Sequence, residues 1–410
     1  MTSPEQKMGP RPTDQRIRDV QDFGEEGGVV PVIDLAATST FLNPLDMEKT
    51  FHGELKGCYL YSRHSNPTVN AFGRKFAALE GTEAALGVAS GMAAISCVID
   101  QLVQAGDHIV TQHAIYGGTY ALFKNVLPRR GVSVTFVDLG NPAEVEKAIQ
   151  PGKTKVIYAE SLSNPLLRTP DFSGLKALKE KYHLKLVVDG TFAPLMLLPT
   201  ELGADVVVHS CTKYISGASD MIAGVIASSA EMIASLIDVN SGSVMLGGAV
   251  MDARIAHELY LRLDHLPVRI RAHSEAAQFL AERMRESGVK VTYPGLKNHP
   301  QRSLIDAQFN TVYGYGGMLT VDCGTSNLAM ELASELQKEK FGLYAVSLGF
   351  SRTLMSCPAV STSSEIPEEE QKQIQLSPGL LRLSIGLIGD HEVLWKRFLK
   401  SYQKVMPKGQ

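Results

Sequence analysis

The stretch Asp205-Val-Val-Val-His-Ser-Cys-Thr-Lys213-Tyr-Ile-Ser-Gly217 carries a short apolar run that ends on hydroxyl residues and a lysine. A lysine just past an apolar strand adds little to solubility and is well placed for chemistry. Twenty-four residues upstream, Lys185-Leu-Val-Val-Asp189 ends a second run of the same kind on a carboxylate. Both runs are rich in valine, unbroken by polar residues and too short for a buried helix, which reads as strands covered on both faces.

Outward from these two, the same pattern repeats. Apolar runs at 84–90, 108–112, 132–138, 155–160, 185–189, 205–210 and 221–228 alternate with helical stretches, as at 172–182, where Leu175, Leu178 and Tyr182 recur at helical spacing. Seven such runs predict an α/β protein with a mostly parallel sheet, whose ligands bind at the carboxyl ends of the strands. Asp189 and Lys213 both lie at ends of that kind. Beyond residue 228 the chain turns helical, at 251–263 and 268–286, with later strands at 289–293, 317–323, 343–348 and 380–385 and helices at 328–338 and 391–405. A domain boundary is expected near residue 265. The first sixty residues show little regular pattern, with a loop at 24–28 and a turn at Asn43-Pro44, and the acidic segment 361–375 reads as a surface excursion.

Composition narrows the function classes. The 410 residues, 44% hydrophobic and 20% charged, fit a soluble globular chain of two or three domains. A net charge of -3 gives no electrostatic reason to expect nucleic acid or a membrane. No apolar run reaches the ~18 residues of a membrane span, and residues 1–22 have neither a signal-peptide core nor a transit-peptide pattern, so the cytoplasm is the expected compartment. Five cysteines without a CxxC pair argue for reduced thiols and against a zinc site; no metal is expected.

Further constellations cluster at strand ends. Ser90, Gly91 and Met92 follow a strand and open the apolar helix 93–102, so free N–H groups face whatever precedes the helix and favour a dianion, although Ser-Gly there is also an ordinary cap. Ser210 and Thr212 add two hydroxyls. Tyr116, in His113-Ala-Ile-Tyr116-Gly117-Gly118-Thr119, and Asn164, in Glu160-Ser-Leu-Ser-Asn164-Pro165, again follow strands, where the tyrosine can stack on a cofactor ring and the asparagine can contact the cofactor; packing and turn chemistry are their alternative readings. A strand-end acid, a strand-end lysine and a phosphate cradle are what pyridoxal phosphate chemistry requires, with the lysine as the imine-forming amine and the acid on the pyridinium nitrogen.

The strings Tyr61-Ser-Arg63-His-Ser-Asn-Pro-Thr68, Ser90-Gly-Met92, Tyr116-Gly-Gly118, Asn164-Pro165, Asp189-Gly-Thr-Phe-Ala-Pro194, His209-Ser-Cys-Thr-Lys213 and Ala345-Val-Ser347-Leu-Gly349 resemble the Cys/Met-metabolism family of pyridoxal phosphate enzymes. The likeness runs from about residue 30 to the C-terminal region. It is strongest to the methionine gamma-lyase branch in its plant form, on 155–161, 216–224, Tyr293-Pro-Gly295 and 361–365.

The resemblance implies an aspartate-aminotransferase-like fold (fold type I), with an N-terminal arm at 1–65 that contacts a neighbouring subunit, a cofactor domain at 66–265 and a smaller α/β domain at 266–410. It also implies Lys213, Tyr116 and Asp189 as catalytic residues. Phosphate would be held by Ser90, Gly91, Met92, Ser210 and Thr212, and by Tyr61 and Arg63 of the neighbouring subunit, within a homotetramer built from two dimers. Arg382, in Gly379-Leu-Leu-Arg382-Leu-Ser384, would clamp the substrate carboxylate with Ser347 and Asn164; read alone, it could instead pair with a buried acid.

The implied reaction is α,γ-elimination of a small sulfur amino acid, methionine first. Cystathionine-handling members tend to carry Glu where this chain has Val346, which favours an apolar tail here. Cystathionine gamma-lyase, acylhomoserine sulfhydrylase or cystathionine synthase activity and, remotely, a non-catalytic scaffold are the alternatives. Three departures stand out: Gly118 replaces the Cys of bacterial methionine-cleaving members and is expected to widen the pocket, Gly190 replaces an Asn and is expected to alter what orients Asp189, and Pro358-Ala-Val-Ser361-Thr-Ser replaces a Met-Thr-His motif.

Overall fold

The computed structural model describes residues 13–20, 22, 24, 27–52, 54–55, 57–361 and 366–406. The seven expected runs form one sheet: β1 (Ala84–Val88), β2 (His108–Gln112), β3 (Ser133–Val137), β4 (Thr154–Glu160), β5 (Lys185–Asp189), β6 (Val206–Ser210) and β7 (Gly224–Ser228). Their order is β1-β7-β6-β5-β4-β2-β3, with β7 antiparallel to both neighbours and the other pairs parallel.

Alternation within each strand divides the core. Ile157 and Ala159 of β4 face one buried cluster while Val156 and Tyr158 face the other, and Leu186 and Val188 of β5 are likewise set against Val187. In these two strands the charged side chains are therefore left to the ends. In the parallel ladder Glu160 is the register partner of Asp189, so two carboxylates close adjacent strands.

A second sheet runs β10-β11-β12-β9-β8, from β8 (Val291–Thr292), β9 (Met318–Asp322), β10 (Leu343–Tyr344), β11 (Leu354–Ser356) and β12 (Leu380–Ser384). β11 was not expected, and the run at 343–348 supplies only two strand residues before it leaves for the site. The long helix Leu266–Glu286 joins the two halves. Leu266 and Ile270 lie in the core of the first, while Ala276, Leu280 and Met284 lie in the core of the second.

Two expectations are corrected. Asn43-Pro44 is not a plain turn: the Asn43 side chain accepts from Leu45 N at 3.2 Å and caps the helix Pro44–Phe51, so the first sixty residues do carry regular structure. The segment 361–375 is more than a surface excursion. Ile366 and Ile374 are buried in the core of the large sheet, and Glu370 accepts from Tyr120 Oη at 2.8 Å and Lys124 Nζ at 2.9 Å. Residues 362–365, which carry part of the family likeness and the departure from the Met-Thr-His motif, lie outside the described residues. Cys58 is exposed and the other four cysteines are buried; all five are free thiols. Among the described residues, no helix is long and apolar enough to cross a membrane and no side-chain group could hold a metal ion.

Candidate active site

Lys213 sits three residues beyond β6, in a turn closed by Lys213 N–H to Ser210 O at 3.2 Å and Gly217 N–H to Lys213 O at 2.8 Å. The half-buried Arg269 guanidinium ties that turn down by donating to the carbonyls of Tyr214 and Ile215. Lys213 Nζ donates to Ser347 Oγ at 3.1 Å. Burial, and then the charge of Arg382, hold the lysine below its usual pKa, which favours a neutral amine.

Asp189 ends β5. Its Oδ1 accepts from Thr191 N at 2.9 Å and its Oδ2 lies 3.5 Å from Tyr158 Oη. Burial raises its pKa, and among the described residues it forms no ion pair. A buried carboxylate in that condition is a receptor for a cation.

The helix Gly91–Leu102 starts against the end of β6. A Cβ on Gly91 would lie 2.6 Å from Ser210 Cβ, so only glycine permits the approach. Ser90 caps the helix by accepting from Ala93 N at 3.0 Å, leaving the N–H groups of Gly91 and Met92 without intrahelical acceptors. Ser210 N–H donates to Thr191 Oγ1 at 2.8 Å, and Thr212 Oγ1 is braced by Ala223 N–H at 3.1 Å.

Arg382 projects from β12 and is 2% exposed. Nη1 donates to Asn164 Oδ1 at 2.9 Å, Nη2 reaches Ser347 O at 3.5 Å, and burial pushes the guanidinium down to about 10. Among the described residues it has no carboxylate partner, so the alternative of a buried ion pair does not hold.

These groups line one cavity of about 490 Å³. Ser90, Gly91, Met92, Tyr116, Asn164, Asp189, Ser210, Thr212, Lys213, Val346 and Arg382 all border it. Tyr61 and Arg63 do not: Tyr61 bridges to Thr38, and Arg63 Nη1 donates to Met245 O at 3.0 Å. Gly118 lies beneath the Tyr116 ring, where a Cβ would come within 2.6 Å of Tyr116 Cε1. Glycine there does not widen the pocket; the tyrosine ring occupies the space. Gly190 is likewise filled over, because a Cβ would meet His209 Cε1 at 2.4 Å, and the neighbouring Thr191 N–H supplies the bond to Asp189.

Sequence reasoning missed Glu160, Thr191 and Ser361 among the polar lining and Ile95, Leu162, Phe192, Ile222 and Leu348 among the apolar lining. Glu160 could have been found, since it ends its strand just as Asp189 does.

Pyridoxal phosphate fits this donor set. The helix start with Ser90, Ser210 and Thr212 can hold a phosphate, the unpaired Asp189 carboxylate can hold a protonated ring nitrogen, and Lys213 can hold the aldehyde carbon.

The family model described as "Cys/Met metabolism PLP-dependent enzyme" matches residues 16–396. A methionine gamma-lyase of Arabidopsis thaliana is 46% identical over 94% of this chain and 88% of its own length. A cystathionine beta-lyase of Lactococcus lactis is 36% identical over 82% of this chain and 86% of its own. Among solved structures, cystathionine gamma-lyase from Lactobacillus plantarum, complexed with L-serine, superposes with a TM-score of 0.85 at 28% identity, covering 96% of this chain and 99% of that one. Cystathionine gamma synthase from Xanthomonas oryzae pv. oryzae gives 0.86 at 29% identity over 97% and 99%.

Proposed function

Because this chain belongs to the Cys/Met-metabolism family of pyridoxal-phosphate-dependent enzymes, we propose that it is a carbon–sulfur lyase that converts L-methionine and water to methanethiol, 2-oxobutanoate and ammonia. The observation that carries this reading is the contrast inside the cavity. One buried, acid-free guanidinium, Arg382, suits the α-carboxylate, while Ile95, Leu162, Ile222, Val346 and Leu348 offer a side-chain tail no charged partner. A thioether suits such a lining better than the ammonium and second carboxylate of cystathionine.

The bound cofactor supplies an electron sink that makes the substrate's carbon-bound protons acidic. Arg382, with Asn164 and Ser347, holds the carboxylate. Lys213, with its amine free once substrate is bound, would take the α proton and move protons over the α and β carbons; its lowered pKa favours the neutral form that this needs. Asp189 keeps the ring nitrogen protonated. Tyr116, at the cavity mouth and 40% exposed, donates a proton to the departing sulfur.

The arm supports a shared site between subunits. Val29, Leu42 and Phe51 are 87%, 103% and 61% exposed, an apolar surface that a second copy would cover. In that dimer Tyr61 and Arg63 reach the partner's phosphate, two dimers pair into a tetramer, and the enzyme works in the cytoplasm. Arg63→Ala and Lys213→Ala proteins, each inactive, regain activity after subunit exchange in this arrangement; no recovery refutes shared sites.

Purified enzyme given methionine alone should release 2-oxobutanoate. A transferase of the same family would form product only when a second nucleophile is added, and that result overturns the lyase reading.

A further inference from the structure

Glu160 closes β4 beside Asp189 and is 5% exposed. Both carboxylate oxygens are used, and by the backbones of two other site residues: Oε1 accepts from Tyr116 N–H at 2.7 Å and Oε2 from Asn164 N–H at 2.9 Å. The strand end beneath is held by Glu160 N–H donating to Gln112 Oε1 at 2.9 Å. Asn164 in turn presents its Oδ1 to Arg382. One carboxylate is thus the common fixture of the loop that bears the phenol and the loop that orients the guanidinium.

We propose that Glu160 is a positioning residue that sets the distance between the Tyr116 acid and the Arg382–Asn164 carboxylate clamp. The inference rests on the lyase reading for the role of Tyr116. Two N–H donors converging on two oxygens need the ionised carboxylate, because a protonated or amide group turns one acceptor into a donor facing an N–H. Burial, and then the Asp189 charge, outweigh the pull of those two backbone donors and bring Glu160 to about 8. Arg382 and Lys213 line the same cavity without pairing with it. Misplacing reacting groups by an ångström costs up to ~100-fold in rate, so such a fixture acts on turnover without touching substrate.

The test uses Glu160→Gln holoenzyme and two readouts. Cofactor content and the visible absorption band should stay at wild-type values, since Glu160 is not assigned a cofactor contact. The Kd of 4-(methylthio)butanoate, which carries the carboxylate and thioether but no amine to react, should rise about 10-fold, and kcat should fall by 10- to 100-fold, the usual range for residues that orient others. In a Tyr116→Phe background the same substitution should change kcat by less than about 2-fold, because with the acid gone its placement no longer matters. A full-sized loss of kcat in that background, or an unchanged Kd, overturns the proposal. Glu160→Asp, too short to reach both N–H groups, carries the same readouts if the Gln variant does not fold. Holoenzyme that leaves methionine intact refutes the lyase reading, while the Kd arm still judges Glu160.

Discussion

Arg382 and Asn164 stand 218 residues apart in the chain and meet at 2.9 Å, guanidinium Nη1 to amide Oδ1, across the seam between the two sheets. With Ser347 O as its other contact, the buried guanidinium keeps a charge that no carboxylate among the described residues balances, which is costly unless a ligand supplies the missing anion.

Replacing Arg382 by Leu should therefore cost the enzyme its substrate and not its fold. Truncating one member of a buried charged pair costs ~2–5 kcal/mol, so kcat/KM for methionine should fall by about 30-fold to several thousand-fold. Thermal stability should hold or rise, since the empty clamp is a buried charge. Initial-rate kinetics with a melting curve check both halves; a collapse of Tm with kcat/KM intact in the surviving fraction contradicts the clamp.

Gly118→Cys tests the placement of Tyr116. The new Cβ would come within 2.6 Å of the tyrosine ring, so the ring must move from the mouth of the cavity. If the phenol is the acid, kcat should drop toward the ~10²–10⁴-fold deficit of an enzyme without one. An unchanged kcat in a variant whose solved structure shows the ring displaced would mean that Tyr116 does not deliver the proton.

Val346→Glu probes the tail of the substrate. Val346 is 66% exposed at the cavity mouth, so a carboxylate there stays hydrated and can meet the ammonium of cystathionine. The ratio of kcat/KM for cystathionine over methionine should increase by ~10–200-fold, the range for one altered pocket contact. A ratio that does not move puts the specificity elsewhere.

His273, fully buried on the helix Leu266–Glu286, should make stability depend on pH. Burial lowers its pKa to about 4, and its Nδ1–H donates to Ile385 O at 2.7 Å. The imidazole titrates at its ordinary value of 6.5 when the chain is unfolded. Below that the unfolded chain binds the extra proton, so stability is full above pH 6.5 and is lost as pH falls toward 4, by up to about 3 kcal/mol. His273→Asn, which can keep the donor, should show a smaller fall in Tm over that interval; an equal fall in both proteins would contradict this origin.

Much of this was legible in the chain because of where polarity is allowed. In β2, β4, β5 and β6 the middle is covered on both faces, so polar residues with chemistry to do collect at the ends, and Asp189, Ser210 and Lys213 announce themselves by ending apolar runs. Glu160 ends its run in the same way, yet glutamate at a strand end also reads as a solvated residue, and its two partners are backbone N–H groups that no sequence pattern displays. Side-chain identity likewise hides what fills the space above a glycine: the Tyr116 ring over Gly118 and the His209 ring over Gly190 follow from the placement of other elements. β11, three residues long, is too short for any periodicity. The segment 366–376 reads as acidic and exposed because its buried residues, Ile366, Ile374 and Leu376, are spaced too irregularly to register as a strand or helix face.

The most direct test quantifies methanethiol and 2-oxobutanoate released from methionine as the sole amino acid, by holoenzyme and by its Lys213→Ala variant. Carbon–sulfur elimination at this site predicts equal molar amounts of the two from the wild type and neither from the variant. Keto acid without thiol, or undiminished turnover without Lys213, would contradict it.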